Sequence, residues 1–259
     1  IGDWSSDVCS SDLLSTLAFG QEKLIKMPIE GRQDDFAPVL ENLVAPSAIN
    51  LLLIPGGNAG TGEVVNGIPT SQNFLVRSRQ DFQASGFNTF ILFRPKSVAP
   101  GSMSFNYRIQ QGHLEEIKAL INYISKNTSG PIWIVGTSMG TISAASAAIN
   151  IDNPRVKGIV LTASVTRDAP GNLSSQSLGK IKLPVLMIHH ETDQCFACVP
   201  SEAEELIHDF KSSPKKEFLM VGGGGPPSGD PCQNQHWHGF VGIENKVTKD
   251  ISDWVKKNN

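Results

Sequence analysis

The sequence predicts an α/β fold: a doubly wound, mostly parallel sheet with helices on both faces and no large cap domain. Two patterns support this prediction. Six short, almost continuous apolar runs are typical of strands buried on both faces, as in a parallel sheet. The segments between these runs carry apolar or small residues at helical spacing, so strands and helices alternate along the chain.

The elements follow in order. The predicted strands are residues 47–54, 89–93, 132–135, 156–161, 185–188 and 217–221. The predicted helices are residues 74–85, 112–125, 138–150, 200–210 and 240–257. Since residues 163–183 are too few for a separate cap and no linker interrupts the pattern, we predict one domain over residues 21–259.

Composition excludes several classes of function. The 259 residues are 39% hydrophobic and 18% charged, with a net charge of −3, which is typical of a globular protein. No segment is basic enough to predict nucleic-acid binding. No apolar run reaches the roughly 18 residues of a membrane-spanning helix. The sequence leaves the oligomeric state open.

The first twenty residues stand apart from this pattern. Residues 2–13 resemble a translated sequencing adapter, which points to a gene assembled from environmental or draft-genome reads; a genuine polar terminus is the alternative. Residues 14–20 are apolar and then small, like the end of a secretory signal peptide, although a short apolar terminus fits as well. We therefore exclude residues 1–20 from the predicted fold.

The strongest chemical signal is the pentapeptide Gly-Thr-Ser-Met-Gly at residues 136–140, which we call the elbow. It follows an apolar strand and precedes a helix rich in small residues. Glycines at its ends permit the sharp turn that presents a serine hydroxyl above a sheet. This context predicts Ser138 as a nucleophile, against the alternative of an ordinary strand-to-helix turn.

A serine nucleophile needs a histidine base, and the base needs an acid that orients it. In enzymes whose nucleophile lies at such an elbow, the acid and then the histidine follow later strands. Asp193 follows the strand at 185–188 and is the predicted acid, with Glu191 as the alternative. His238 lies between the last long loop and the final helix and is the predicted base, with His236 as the alternative.

Residues 51–254 resemble an α/β-hydrolase, most closely a group of secreted bacterial members. The resemblance rests on the elbow, on His-His-Glu-Thr-Asp-Gln-Cys at 189–195 and on Gly-Asp-Pro-Cys at 229–232. It implies hydrolysis of esters or related acyl compounds, small or polymeric, without a cofactor. Cleavage of amide, lactone or polyester bonds on the same machinery and a non-catalytic binding role remain open.

The elbow and the resemblance also predict the groups around the nucleophile. The backbone N–H of Met139 is one expected oxyanion donor. The second is Gly57, with Asn58 as its alternative, because Pro-Gly-Gly-Asn at 55–58 stands where family members often have His-Gly-Gly. Asn58 and Trp237 are the predicted substrate-binding residues.

The resemblance further implies a disulfide between Cys195, near the predicted acid, and Cys232, near the predicted base. A bond between Cys198 and Cys232 is the alternative, and redox chemistry at the Cys-x-x-Cys spacing of 195–198 is a weaker one. A disulfide persists in an oxidising compartment, so we expect a secreted or periplasmic protein. A catalytic metal is not expected, although five residues could be read as ligands: His189, His190, Asp193, His236 and His238.

Overall fold

The structure is a computed structural model that describes residues 20–259. The predictions for the adapter-like segment and for the signal remnant up to residue 19 lie outside the described residues. Ten strands are present: β1 (Lys23–Pro28), β2 (Phe36–Asn42), β3 (Asn50–Ile54), β4 (Val64–Val65), β5 (Ile68–Pro69), β6 (Asn88–Leu92), β7 (Ile132–Thr137), β8 (Val156–Thr162), β9 (Val185–His190) and β10 (Lys216–Val221).

Eight of these strands form one sheet in the order β1-β2-β6-β3-β7-β8-β9-β10. The six strands from β6 to β10 in this order are parallel, and β1 and β2 are antiparallel additions at one edge. In the centre, Leu52 of β3 pairs with Phe90 of β6 on one side and Ile134 of β7 on the other. All five residues of β3 are buried, as the continuous apolar run predicts.

Six α-helices are present in the described chain: α1 (Phe74–Arg77), α2 (Arg79–Ala84), α3 (Gln111–Asn127), α4 (Met139–Asn150), α5 (Pro200–Leu206) and α6 (Glu244–Lys257). Apolar residues of α3, α4 and α5 pack on one face of the sheet. Those of α1, α2 and α6 pack on the other face. The predicted fold class, a doubly wound sheet with helices on both faces, is therefore confirmed.

Several helix boundaries differ from the predictions. The predicted helix at 74–85 is two short helices that meet at Ser78. The final helix begins at Glu244 rather than at residue 240, because Phe240 and Gly242 have φ angles of 60° and 80°, outside the helical range. The helix predicted at 200–210 ends at Leu206 and continues as a 3-10 turn. Strands β1, β2, β4 and β5 were not assigned from the sequence.

The absence of a large cap is confirmed for the described chain. Between residues 163 and 183 there are two 3-10 turns, Leu173–Ser175 and Leu178–Lys180, and no α-helix. None of the helices within residues 20–259 has the length and apolar character needed to cross a membrane. The loops that follow β3, β7, β9 and β10 all leave the same edge of the sheet, where open α/β sheets bind ligands.

Candidate active site

Ser138 lies at the sharp turn between β7 and α4. Its φ and ψ are 53° and −128°, a conformation that non-glycine residues rarely adopt. The turn is possible because its two glycines have no side chains: a Cβ on Gly136 would overlap the Gly140 carbonyl, and a Cβ on Gly140 would overlap the Ile54 carbonyl. The N–H of Ser138 donates to the Thr162 carbonyl at 2.9 Å. Ser138 therefore sits outside the helix, just before Met139, and not inside it as the predicted boundary implied.

Asp193 and His238 form a buried pair beside this turn. Nδ1 of His238 lies 2.8 Å from Oδ2 of Asp193, and the two side chains are 5% and 0% exposed. The other carboxylate oxygen, Oδ1, accepts the N–H of Cys195 at 2.9 Å. The Asp193 carboxylate accepts a hydrogen bond from the Nδ1–H of His238. A neutral His238 therefore carries its proton on Nδ1, and its Nε2 is free to accept a proton.

The alternative acid and base occupy other places. Glu191 is exposed, and its N–H donates to the carbonyl of Val221. His236 is buried against Trp237 at a ring distance of 5.0 Å and makes no hydrogen bond to Asp193. The structure therefore brings His238, not His236, to the carboxylate of Asp193.

Ser138 and His238 both line one cavity of about 400 Å³. Within residues 20–259, Nε2 of His238 is buried without a hydrogen-bond partner. The bond from the Ser138 hydroxyl to this nitrogen is thus not formed in this conformation. Such bonds are often long or poorly aligned in unliganded hydrolases and tighten when substrate binds.

The predicted oxyanion donors lie beside Ser138, the predicted nucleophile. Gly56 is so close to Ser138 that a Cβ on it would lie 2.7 Å from the Ser138 Cβ. Gly57 follows with a φ of 54°, which favours glycine. In the described part of the chain, the N–H groups of Gly57 and Met139 donate to no backbone carbonyl. Met139 opens α4, where the first N–H groups have no partner within the helix.

A disulfide joins Cys195 to Cys232, the pairing that the resemblance implied. Cys198 has a free and buried thiol that lines the same cavity. Burial raises the pKa of this thiol well above its usual range, the charge of Asp193 adds to the increase, and the Ser138 side chain opposes it. A protonated thiol is a poor nucleophile, so Cys198 is unsuited to redox chemistry in this state.

Apolar side chains cover much of the remaining cavity wall: Phe74, Phe105, Met139, Val165 and Phe196. Phe196, between the two cysteines of the loop after β9, is 66% exposed. Of the two predicted substrate-binding residues, Asn58 lines the cavity and Trp237 does not. The indole of Trp237 instead stacks on His190 at 6.0 Å, because the 3-10 turn that carries His238 points its neighbour towards β9.

Two of the histidines that could be read as metal ligands, His189 and His190, have structural partners. Nε2 of His189 accepts the N–H of Ser164 at 2.7 Å, and burial lowers the pKa of His189 to about 4. His190 bonds the Gly223 carbonyl and the N–H of Thr192.

In the described residues, the close group of possible metal ligands is Cys195, Cys198 and His238. Since the sulfur of Cys195 is in the disulfide, two ligands remain, too few for the usual protein site.

Sequence reasoning missed Arg108, which is fully buried behind the loop at residues 55–58. Its guanidinium donates to the carbonyls of Pro55 and Gly57 at 3.1 and 2.9 Å. Phe105 and Phe196 were also missed. No motif marks Arg108 or Phe105, which reach the site from a segment distant in the chain, whereas Phe196 lies in the loop of Asp193 and is marked only by its position between Cys195 and Cys198.

No protein-family model and no curated protein matches this sequence. Solved structures do match, over almost the whole chain. The esterase Pf2001 of Pyrococcus furiosus has a TM-score of 0.67 at 13% identity, over 100% of this chain and 95% of that one. A lidless α/β serine hydrolase from Xanthomonas campestris has a TM-score of 0.61 at 11% identity, over 93% and 95%. Est1E from Butyrivibrio proteoclasticus, solved with ferulic acid bound, has a TM-score of 0.62 at 13% identity, over 90% and 98%.

Likeness at these low identities is evidence about the fold. The mostly parallel sheet with helices on both faces agrees with these neighbours. The chain therefore has the α/β-hydrolase fold.

Proposed function

We propose that the protein is a serine hydrolase that cleaves carboxylic esters through Ser138, His238 and Asp193. The observation that carries this proposal is the buried Asp193–His238 pair, whose free Nε2 shares a cavity with the strained Ser138. A strained backbone at a nucleophile, an oriented imidazole and unpaired N–H groups are the parts that acyl transfer needs.

In the proposed reaction, His238 Nε2 takes the hydroxyl proton of Ser138 as the oxygen attacks the ester carbonyl carbon. The N–H groups of Gly57 and Met139 hold the oxyanion of the tetrahedral intermediate. The alcohol leaves with the proton from His238. Water then attacks the acyl-enzyme with His238 again as the base, which releases the acid and restores Ser138. Asp193 keeps the imidazole oriented and stabilises its cation.

The cavity supports an apolar acyl group as the substrate. Three aromatic side chains, Phe74, Phe105 and Phe196, line it beside Met139 and Val165. No α-helix lies between residues 163 and 183 to cover it. The exposed side chain of Phe196 lines this cavity. Besides esters of simple apolar acids, bulky, aromatic or polymeric esters are therefore a second proposed class of substrate. The ferulic acid bound to Est1E makes aromatic esters worth testing first.

The disulfide is evidence about the cellular compartment of the protein. Cys195 and Cys232 join the loops that carry the proposed acid and base, so reduction would loosen the site. We infer that the enzyme acts in an oxidising compartment such as the periplasm or the exterior of the cell.

The test is hydrolysis of p-nitrophenyl esters from acetate to palmitate, and of methyl ferulate, by wild type and Ser138→Ala. Ser146→Ala is the matched control, because Ser146 is a buried serine of α4, the helix that follows Ser138, and does not line the cavity. We expect activity in wild type and Ser146→Ala, and its loss in Ser138→Ala. A fluorophosphonate probe should label Ser138 in the same pattern. A folded wild type that neither cleaves these esters nor takes the probe would favour a binding role.

A further inference from the structure

A chain of buried polar groups runs from the loop at residues 55–58 to the opposite side of α4. It contains Arg108, Ser143, His113 and Glu116, all fully buried, and ends at the partly exposed Arg32. We call it the buried relay. Burying charged groups rarely stabilises a protein over a well-packed apolar alternative, so stability alone does not account for such a chain.

The hydrogen bonds of the buried relay converge on Glu116 from both sides. His113 Nδ1 lies 2.7 Å from Glu116 Oε2, so this nitrogen carries the proton and Nε2 accepts. Ser143 Oγ lies 2.9 Å from Nε2 and donates to it. The same oxygen accepts from Arg108 Nη1 at 3.0 Å. Arg32 Nη1, at 2.7 Å, and the Tyr107 hydroxyl donate to Glu116 Oε1.

Ser143, His113 and Glu116 thus repeat the three groups of a catalytic triad, but their geometry serves another purpose. Ser143 is fully buried, and the guanidinium of Arg108 occupies the acceptor side of its oxygen. Burial lowers the pKa of His113, which keeps this imidazole neutral as an acceptor for Ser143. No substrate carbonyl can reach this serine.

The other end of the buried relay holds the loop that carries the proposed oxyanion donor. Nη2 of Arg108 donates to both the Pro55 and the Gly57 carbonyl, which turns these two carbonyls towards the interior. These two bonds hold the peptide between Gly56 and Gly57 from both sides. The carbonyl of that peptide, which belongs to Gly56, accepts the N–H of Ala59 at 3.1 Å. In a trans peptide the N–H points opposite to the carbonyl, so the direction of the Gly57 N–H is set as well.

Ser143 connects this loop to the nucleophile. It lies on α4, the helix that begins at Met139 immediately after Ser138. Arg108 therefore bonds both the loop that carries Gly57 and the helix that begins at Met139. The geometry points to Arg108 as a positioning residue: through Ser143, His113 and Glu116, it holds the Gly57 and Met139 N–H groups in the arrangement that stabilises the oxyanion. This inference rests on the proposed function.

The test compares Arg108→Gln and Ser143→Ala with Arg155→Gln. Arg155 is the matched control, because it also bonds two loop carbonyls, those of Thr128 and Gly130, away from the cavity. Loss of one oxyanion donor lowers kcat about 100- to 1000-fold in other hydrolases, so misplacing one should lower it by about 10- to 100-fold in Arg108→Gln. We expect a smaller fall of about 3- to 10-fold in Ser143→Ala, with KM unchanged within about twofold in both.

Hydrogen–deuterium exchange of residues 55–59 supplies a readout that does not need activity. Both relay variants should exchange at this loop about tenfold faster than wild type, and Arg155→Gln should not. If Arg108→Gln does not fold, the loop exchange and the kcat of Ser143→Ala test the inference instead. Unchanged loop exchange and unchanged kcat in a folded relay variant would overturn the inference. If the wild type cleaves no ester, the proposed function fails, and the exchange data still decide whether Arg108 holds the loop.

Discussion

Asp193 holds His238 through one carboxylate oxygen while its other oxygen accepts the N–H of Cys195. The carboxylate of Asp193 is therefore held by the backbone of its own loop, and the imidazole of His238 is held by this carboxylate. Cys195 in turn is bonded to Cys232, six residues before His238 in the sequence. Asp193, His238 and the disulfide are thus linked to one another, and the first two predictions follow from these contacts.

Replacing Asp193 by Asn should leave the fold intact and lower kcat by about 1000- to 10,000-fold, because an amide can hold the imidazole in the wrong tautomer. Steady-state kinetics with the best ester of the p-nitrophenyl series measures this effect. Glu191→Gln is the control, since Glu191 is exposed and lies two residues away. Equal losses in the two variants would mean that Asp193 is not the acid.

Removing the disulfide in the double variant Cys195→Ser, Cys232→Ser should lower the free energy of unfolding by about 3–4 kcal/mol, because the bond closes a long loop. Urea denaturation of the variant and of reduced wild type measures this change. Cys198→Ser, which leaves the disulfide in place, should shift the midpoint much less. A double variant as stable as wild type would contradict the prediction.

Phe196→Ala should weaken binding of bulky acyl groups and leave acetate esters unaffected. Loss of an apolar contact of about 1–2 kcal/mol corresponds to a roughly tenfold rise in KM for aromatic or long-chain esters. Phe196→Leu, which keeps much of the apolar surface, should recover part of the binding. Val65→Ala is a control at another exposed apolar residue, away from the cavity. A KM that rises equally for every ester would show that Phe196 supports the loop rather than the acyl group.

His189 should make the protein sensitive to acid. Burial lowers its pKa from 6.5 to about 4, so between these pH values the unfolded chain binds a proton that the folded chain does not. Its stabilising contribution is complete above pH 6.5 and falls as the pH approaches 4, by up to about 3 kcal/mol. Gln at this position keeps an acceptor for the N–H of Ser164 and removes the titration.

The measurement for His189 is the free energy of unfolding from pH 7 to pH 4. Wild type should lose more stability over this interval than His189→Gln. Parallel curves for the two proteins would assign the acid sensitivity to other groups.

Much of the fold followed from local patterns in the sequence. The apolar runs that became β3, β6 and β7 identified buried parallel strands, because such strands have no polar face. The edge strand β1 and its neighbour β2 were missed, since the lysines of β1 and the proline of β2 blur the apolar pattern. The break before α6 was missed because the left-handed backbone of Phe240 has no signature in its side chain.

The sequence by itself determined the turn at Ser138, because steric limits at Gly136 and Gly140 act over five consecutive residues. It also restricted the candidates for the proposed acid and the proposed base to two residues each. Only the tertiary structure decided that His238 faces Asp193, that Trp237 turns towards His190, and that Arg108 lies behind Gly57. These relationships join segments far apart in the chain, so they depend on how loops and helices pack across the sheet edge, which no local pattern encodes.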